Sequence, residues 1–164
     1  GLGDVYKRQR SGGERGPYGL PASNATCDGF GCSQIFSNGD VLSSSSWGTY
    51  ATFGGIGASW KKMAQDGSSA GVAVSVLRYS SANGGGWAQH FQNGVITQAQ
   101  GQNSAIFNPY GPILNMWYHY GAESTWLGWP TAPANCTAGN CTQTFQNGTA
   151  RSTPDGSVDF VPKR

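Results

Sequence analysis

The sequence predicts an α+β fold made of tandem repeats of about 55 residues, each a β-hairpin followed by a short helix, arranged in an arc or ring. Three observations predict it. The segment Gln-x-Phe-x-Asn-Gly occurs at Gln34–Gly39, Gln89–Gly94 and Gln143–Gly148, in steps of 55 and 54 residues. An Ile-x-x-x-Trp segment follows the first two copies, at Ile56/Trp60 and Ile113/Trp117. The chain holds 26 Gly but only 11% charged residues, as a turn-rich repeat protein would. A pattern recurring at a near-constant period marks a repeat architecture, in which each unit buries its apolar face against a neighbour.

The elements follow in chain order. Tyr18-Gly19-Leu20-Pro21 lies 109 residues before Leu127-Gly128-Trp129-Pro130, and Cys27 and Cys32 lie 109 before Cys136 and Cys141. Asn-Gly accepts positive φ at both central positions of a type I′ turn, so it predicts a two-residue hairpin turn. That turn pairs Phe36 with Val41, Phe91 with Ile96 and Phe145 with Ala150. Ile56, Trp60 and Met63, like Ile113, Trp117 and Tyr120, stand at i, i+4 and i+7, the spacing of one helix face. Pro112 suits a first helical turn, and Gly67 and Gly121 suit helix stops. Hairpin and helix are each too short to be stable alone, so stacking must supply the core. Phe36, Phe91, Phe145, Trp60 and Trp117 are the predicted core, because they recur. Gln34, Gln89 and Gln143 are predicted to bond the backbone of the next repeat, since a buried amide needs partners.

These landmarks resemble the LGFP repeat. Leu-Gly-Trp-Pro, the Gln-x-Phe-x-Asn-Gly hairpin and Gly55-Ile56…Trp60 with Gly67 agree with it in order and spacing. The resemblance spans residues 16–162, divided as 16–70, 71–124 and an incomplete 125–162, after an N-terminus of residues 1–15 outside any repeat. The middle copy departs from it, with Ala73-Val74-Ser75-Val76 where the tetrapeptide is expected. The resemblance implies an exported actinobacterial protein held at the cell envelope. Its partner would be cell-wall glycan or peptidoglycan, and a hydrolase or acyltransferase domain often lies upstream.

Both cysteines of a Cys-x4-Cys pair are missing together from the middle copy, where Ala82 and Trp87 take their places. Joint loss suggests the pairs Cys27–Cys32 and Cys136–Cys141, which an oxidising compartment favours. Four cysteines allow three connectivities, and zinc ligation is the competing reading. Asp4-Val5-Tyr6-Lys7-Arg8-Gln9 resembles a translated sequencing adapter joined to the gene, the alternative being an ordinary basic tail. Residues 1–10 carry Lys7, Arg8, Arg10 and Asp4; without them seven basic and seven acidic residues remain, and the net +2 falls to 0. No basic patch then argues for nucleic acid. No apolar stretch approaches the ~20 residues of a membrane span. No signal peptide is visible, and a gene truncated at its start would not show one.

Catalytic motifs are lacking. His90 and His119 have no evident acid or base partner, and the scattered carboxylates form no opposed pair for glycoside hydrolysis. No metal or cofactor is expected. Aromatic residues that do not recur have no repeated structural duty, so Trp47, Trp87, Tyr118 and Trp126 are the candidate ligand contacts. The function predicted is a non-catalytic envelope-binding module. Its rivals are a fragment of a muramidase, amidase or mycolyl transferase with its catalytic domain upstream, and a spacer without ligand.

Overall fold

The structure, a computed structural model, describes residues 19–164. Residues 1–15, read above as a separate N-terminus, and the adapter-like residues 4–9 lie outside the described residues. Among the described residues, three four-stranded antiparallel meanders follow one another along the chain. The first holds β1 (Thr26–Cys27), β2 (Gly31–Ile35), β3 (Val41–Ser45) and β4 (Gly48–Thr52). The second holds β5 (Arg78–Ser80), β6 (Gly86–Phe91), β7 (Gly94–Ala99) and β8 (Ile106–Pro109). The third holds β9 (Asn135–Thr137), β10 (Asn140–Phe145), β11 (Gly148–Ser152) and β12 (Val158–Pro162). Helix α1 (Gly54–Gln65) joins the first sheet to the second, and α2 (Pro112–Tyr120) joins the second to the third. The fold is thus mixed α+β and mostly β. Four strands stand where a two-stranded hairpin was expected. The outer strands were missed because sequences such as Gly48-Thr49-Tyr50-Ala51-Thr52 lack the apolar alternation of the inner pair.

The hairpin register also differs from expectation. Phe91 pairs with Gly94 and Phe145 with Gly148, so the turn residues are Gln92-Asn93 and Gln146-Asn147, none with positive φ. A Cβ on Gly94 would strike Asn108 O, and one on Gly148 would strike Val161 O. Glycine is required there by the close approach of the next strand. In the first sheet Ile35 pairs with Val41, the turn is one residue longer, and Gly39 does take φ +95°. The extra residue puts Leu42, not Val41, on the face shared with Phe36.

The tetrapeptide of the middle copy lies three residues earlier than the sequence suggested. Pro21, Ala73 and Pro130 bridge Phe36, Phe91 and Phe145 in turn, so Ala70-Gly71-Val72-Ala73 matches Leu127-Gly128-Trp129-Pro130. Its glycine is kept: Gly19, Gly71 and Gly128 have φ +70°, +81° and +79°. Three residues are then inserted between β5 and β6, around Ala82–Gly84. The cross-strand partner of Trp87 is therefore Tyr79, not Ala82. Their rings lie 5.4 Å apart at the register where the other sheets carry disulfides. Cys27–Cys32 and Cys136–Cys141 are bonded, which removes the thiolates a zinc site would need.

Each helix seats on the sheet that follows it. Ile56 packs with Phe91 and Ile96; Ile113 and Trp117 pack with Phe145 and Ala150. Trp117 is 1% exposed, whereas Trp60 is half-buried. Both indoles donate to the carbonyl of the matched glycine, Trp60 Nε1 to Gly71 O at 2.8 Å and Trp117 Nε1 to Gly128 O at 3.0 Å. Gln89 and Gln143 reach back to the preceding sheet, not forward to the next. Gln89 Nε2 donates to Ala51 O, and Gln143 Nε2 to Asn108 Oδ1 at 2.7 Å. Gln34 Nε2 donates to Ser23 O within its own unit, as Gln89 does to Ser75 O and Gln143 to Ala132 O.

The turn that follows α2 is also tied to the second sheet by charge. Arg78 on β5 holds the buried Glu123 at 2.6 and 3.3 Å. Burial by itself would raise the Glu123 carboxyl, but the Arg78 guanidinium, together with its own backbone N–H and Ser80, holds it below the ordinary carboxylate value. Burial, helped by the Arg78 charge, lowers His90 below the ordinary imidazole value.

Trp117→Ala should cost ~3–5 kcal/mol, because it deletes a buried ring and strands the Gly128 carbonyl. Trp126→Ala, at a half-exposed position, should stay within ~0.5 kcal/mol of the parent. Denaturant unfolding of both variants checks this, and equal losses would contradict the burial assignment. Folding also depresses the proton affinity of His90 and Glu123, so the folded state binds fewer protons than the unfolded one. Stability should therefore be fullest near neutral pH. It should fall below pH ~6.5 as His90 is driven to protonate, and again below ~4.3 as Glu123 does. Glu123→Gln should melt lower than the parent at pH 7 and lose part of the steeper acid limb; parallel melting curves from pH 7 to 3 would refute the pairing.

Candidate ligand-binding groove

Helix α2 ends at Gly121, whose φ of +114° is a left-handed stop open to glycine. A 3-10 turn, Ala122–Ser124, then brings Thr125 and Trp126 back beside the helix. The side-chain amide of Asn147 donates to Trp126 O at 2.7 Å and fixes the backbone there. The Trp126 ring lies against Gly148, where a Cβ would stand 3.1 Å from it. On the other side β12 supplies Val158, Asp159 and Phe160. Phe160 is opposite the small Ala150, and the ring of Tyr120 meets it edge-on at 6.0 Å.

These elements enclose an open groove of about 530 Å³. Trp117, Leu127, Met116 and Phe160 form its apolar bed, and Asp159 and Thr125 supply oxygen atoms. Trp126 is 51% exposed and Tyr120 64% exposed. Large aromatic rings left in water on the rim of a concave apolar surface are the usual makings of a ligand site. The groove thus combines exposed ring faces with a carboxylate and a hydroxyl at its edge. The matched positions beside α1 are Met63, Ser68 and Ser69 for Tyr120, Thr125 and Trp126. The match is fixed by Asn93, which donates to Ser69 O as Asn147 does to Trp126 O. The aromatic rim thus belongs to this groove and is no product of the repeat.

The four candidate aromatics do not converge. Only Trp126 lines this groove. Trp47 is 51% exposed on the β3–β4 turn, its N–H donating to Ser45 Oγ and its carbonyl accepting from Tyr50. Trp87 is half-buried against Tyr79 and borders a shallow pocket of about 190 Å³ with Leu77 and Phe53. Tyr118 packs between Trp117 and His90, and burial raises its phenol above the ordinary value. Sequence reasoning missed Tyr120, Asp159 and Phe160. Tyr120 enters the sequence reading only as the i+7 position of the helix face shared with Ile113 and Trp117, and β12 carries no motif.

His90 is half-buried against the Tyr118 ring, His119 is exposed beside Tyr120, and the nearby carboxylate Glu123 is held by Arg78. Among the described residues no three His, Cys, Asp or Glu side chains gather as metal ligands, and no helix is long and apolar enough to cross a membrane.

No curated protein matches the chain. Residues 19–67, from the first glycine turn through the first sheet and α1, match the model of the LGFP repeat family. This span contains the hairpin, the helix and the Ile-x-x-x-Trp segment that carry the resemblance, so the chain contains a segment that matches the LGFP repeat.

Proposed function

We propose that this chain is a non-catalytic module that binds cell-envelope glycan, carried by a protein exported from a bacterium. The observation that carries the reading is the exposed Trp126–Tyr120 rim over an apolar groove with a carboxylate at its edge. Neither ring has a counterpart of equal size beside α1, and Trp126 makes no polar contact through its indole that would explain its exposure. Stacking on a neutral sugar accounts for both. Two disulfides, each closing a loop of a few residues, suit an oxidising compartment outside the cytosol. The repeats at 16–70, 71–124 and 125–162 extend in an arc, each leaning on its neighbour, so that separate grooves meet successive stretches of a polymer. In a longer chain such a module would hold an upstream catalytic domain at its substrate.

Purified bacterial cell walls should retain the wild-type protein in a sedimentation assay. Trp126→Ala and Tyr120→Ala should each weaken retention roughly tenfold, about 1.4 kcal/mol, without lowering the melting temperature appreciably. His90→Ala and His119→Ala should bind as the parent does. Release of soluble sugar, peptide or acyl product that either histidine variant abolishes would turn the reading toward an enzyme; full retention of Trp126→Ala would move the site elsewhere.

A further inference from the structure

The two joints between sheets follow one plan and are filled differently. At the second, Trp129 lies fully buried over Gly86, where a Cβ would stand 2.8 Å from its ring. Its Nε1–H donates to Ala82 O at 2.9 Å. The Arg78–Glu123 pair closes the mouth, and Asn83 Nδ2 bonds Glu123 O and Thr125 O at 2.6 and 2.8 Å. At the first joint the matched residues are Val72 for Trp129, Gly31 for Gly86, Thr26 for Arg78 and Asp66 for Glu123. The backbone confirms the first match, since Val72 O accepts from Gln92 N–H as Trp129 O does from Gln146 N–H.

The reversal of the acid has a local cause. Gly121 ends α2 early and lets Glu123 turn inward. Ala64 holds that place in α1, so the helix runs on to Gln65, and Asp66 faces solvent, paired with Lys62 at 3.2 Å. A smaller side chain, a missing cation and a redirected carboxylate together leave an open groove of about 510 Å³. Gly31, Val72 and the half-buried Trp60 line its apolar side, and Thr26, Ser33 and Ser68 its polar side. Among the described residues that line it there is no basic side chain, and its one acid, Asp28, already accepts from Phe30 and Gly31 N–H.

We infer that this first joint is a second saccharide site, occupied by a neutral sugar ring in the place that the Trp129 indole fills at the second joint. The inference rests on the glycan-binding reading above. The second joint shows what shape fits: a flat ring with an apolar face over the glycine and a polar hydrogen at its edge donated to a backbone carbonyl. A sugar ring has a C–H face and peripheral hydroxyls, and the hydroxyl-bearing wall offers donors and acceptors to match. The absence of cations along the wall favours a neutral ring over an anionic one. Two grooves, one at the first joint and one between α2 and β12, let one chain engage a polymer at two points, which multiplies retention through effective concentration.

Calorimetric titration with neutral oligosaccharides, namely an N-acetylglucosamine tetramer and arabinan and galactan oligomers, tests this alongside amide chemical-shift mapping. The wild-type chain should bind two equivalents, with shifts clustered at Gly31, Thr26 and Ser33 and, separately, at Trp126 and Tyr120. Trp126→Ala should keep one equivalent. Adding Val72→Trp, which supplies the second joint's own occupant, should weaken that remaining site at least tenfold. Thr26→Leu with Ser68→Leu, at exposed positions, gives the same reading should Val72→Trp fold poorly. Shifts at Trp126 alone, with both groove variants binding as the parent does, would overturn this inference and leave the first groove's reading standing. Binding at Gly31 and Thr26 alone would uphold it and overturn the Trp126 assignment. Binding of none of the oligosaccharides at either groove would sink both.

Discussion

The structure hangs on the docking of a glycine-centred turn onto the tip of a hairpin. In each unit the residue after the turn glycine shares a backbone bond with the residue after the hairpin phenylalanine: Leu20 with Ser37, Val72 with Gln92, Trp129 with Gln146. The turn needs φ near +70° to +81°, which glycine adopts without strain. It also needs a bare backbone, since a Cβ on Gly128 would stand 3.1 Å from the Gln146 Cβ. The hairpin asparagine adds a side-chain bond to the residue that precedes the tetrapeptide, Asn93 to Ser69 O and Asn147 to Trp126 O. The carbonyl of the same glycine accepts the helix tryptophan. One glycine therefore ties hairpin, turn and helix together, and replacing it would unsettle all three.

From that tie the energetics of the array follow. The helix tryptophan fills the core and satisfies a buried carbonyl at once, which a phenylalanine of similar size could not do. The glutamine of the motif carries the array from one unit to the next. Gln143 meets Asn108, whose own amide donates to Val95 O, Thr97 Oγ1 and Ile106 O, so the buried polar atoms at the second joint form a connected network. At the first joint Thr52 stands in the place of Asn108 and its buried hydroxyl has no partner. The second joint is thus better satisfied, better filled and charge-locked, and in an array of nearest-neighbour contacts it is the stronger of the two. A disulfide in the outer sheets and the Tyr79–Trp87 pair in the middle one do the same mechanical work, holding two adjacent strands at one register.

Function, on this view, resides where the copies differ. The landmarks shared by the units are consumed in holding them together: phenylalanine in the core, glutamine and asparagine on carbonyls, glycine at close approaches. What remains is the set of side chains that one unit has and its neighbour lacks. Trp126 and Tyr120 stand where the earlier unit has Ser69 and Met63; Val72 and Thr26 stand where the later one has Trp129 and Arg78. The first substitution builds an aromatic rim and the second leaves a groove unfilled, so the same scaffold presents two concave surfaces of different chemistry.

The sequence by itself determined the period, the helices with their Pro112 and Gly121 boundaries, and the recurrent core phenylalanines with Trp117, and it favoured the two disulfides over the other pairings. These are set by local chemistry and by repetition, and both can be read along a chain. It missed the outer strands of each sheet, because they are held by backbone bonds to inner strands and need no apolar pattern of their own. It misplaced the middle tetrapeptide by three residues, because an insertion between β5 and β6 is invisible to a fixed offset; only the bridges to Phe36, Phe91 and Phe145 locate the turn. Spacing identified Trp126 as unrepeated but gave Tyr120 only a place on the helix face of Ile113 and Trp117, since helical periodicity says which residues share a face and not whether anything covers it. Which surfaces are covered was decided only in three dimensions, where Gly121 rather than Ala64 ends a helix early, turns one carboxylate inward to an arginine, and closes one joint while its counterpart stays open.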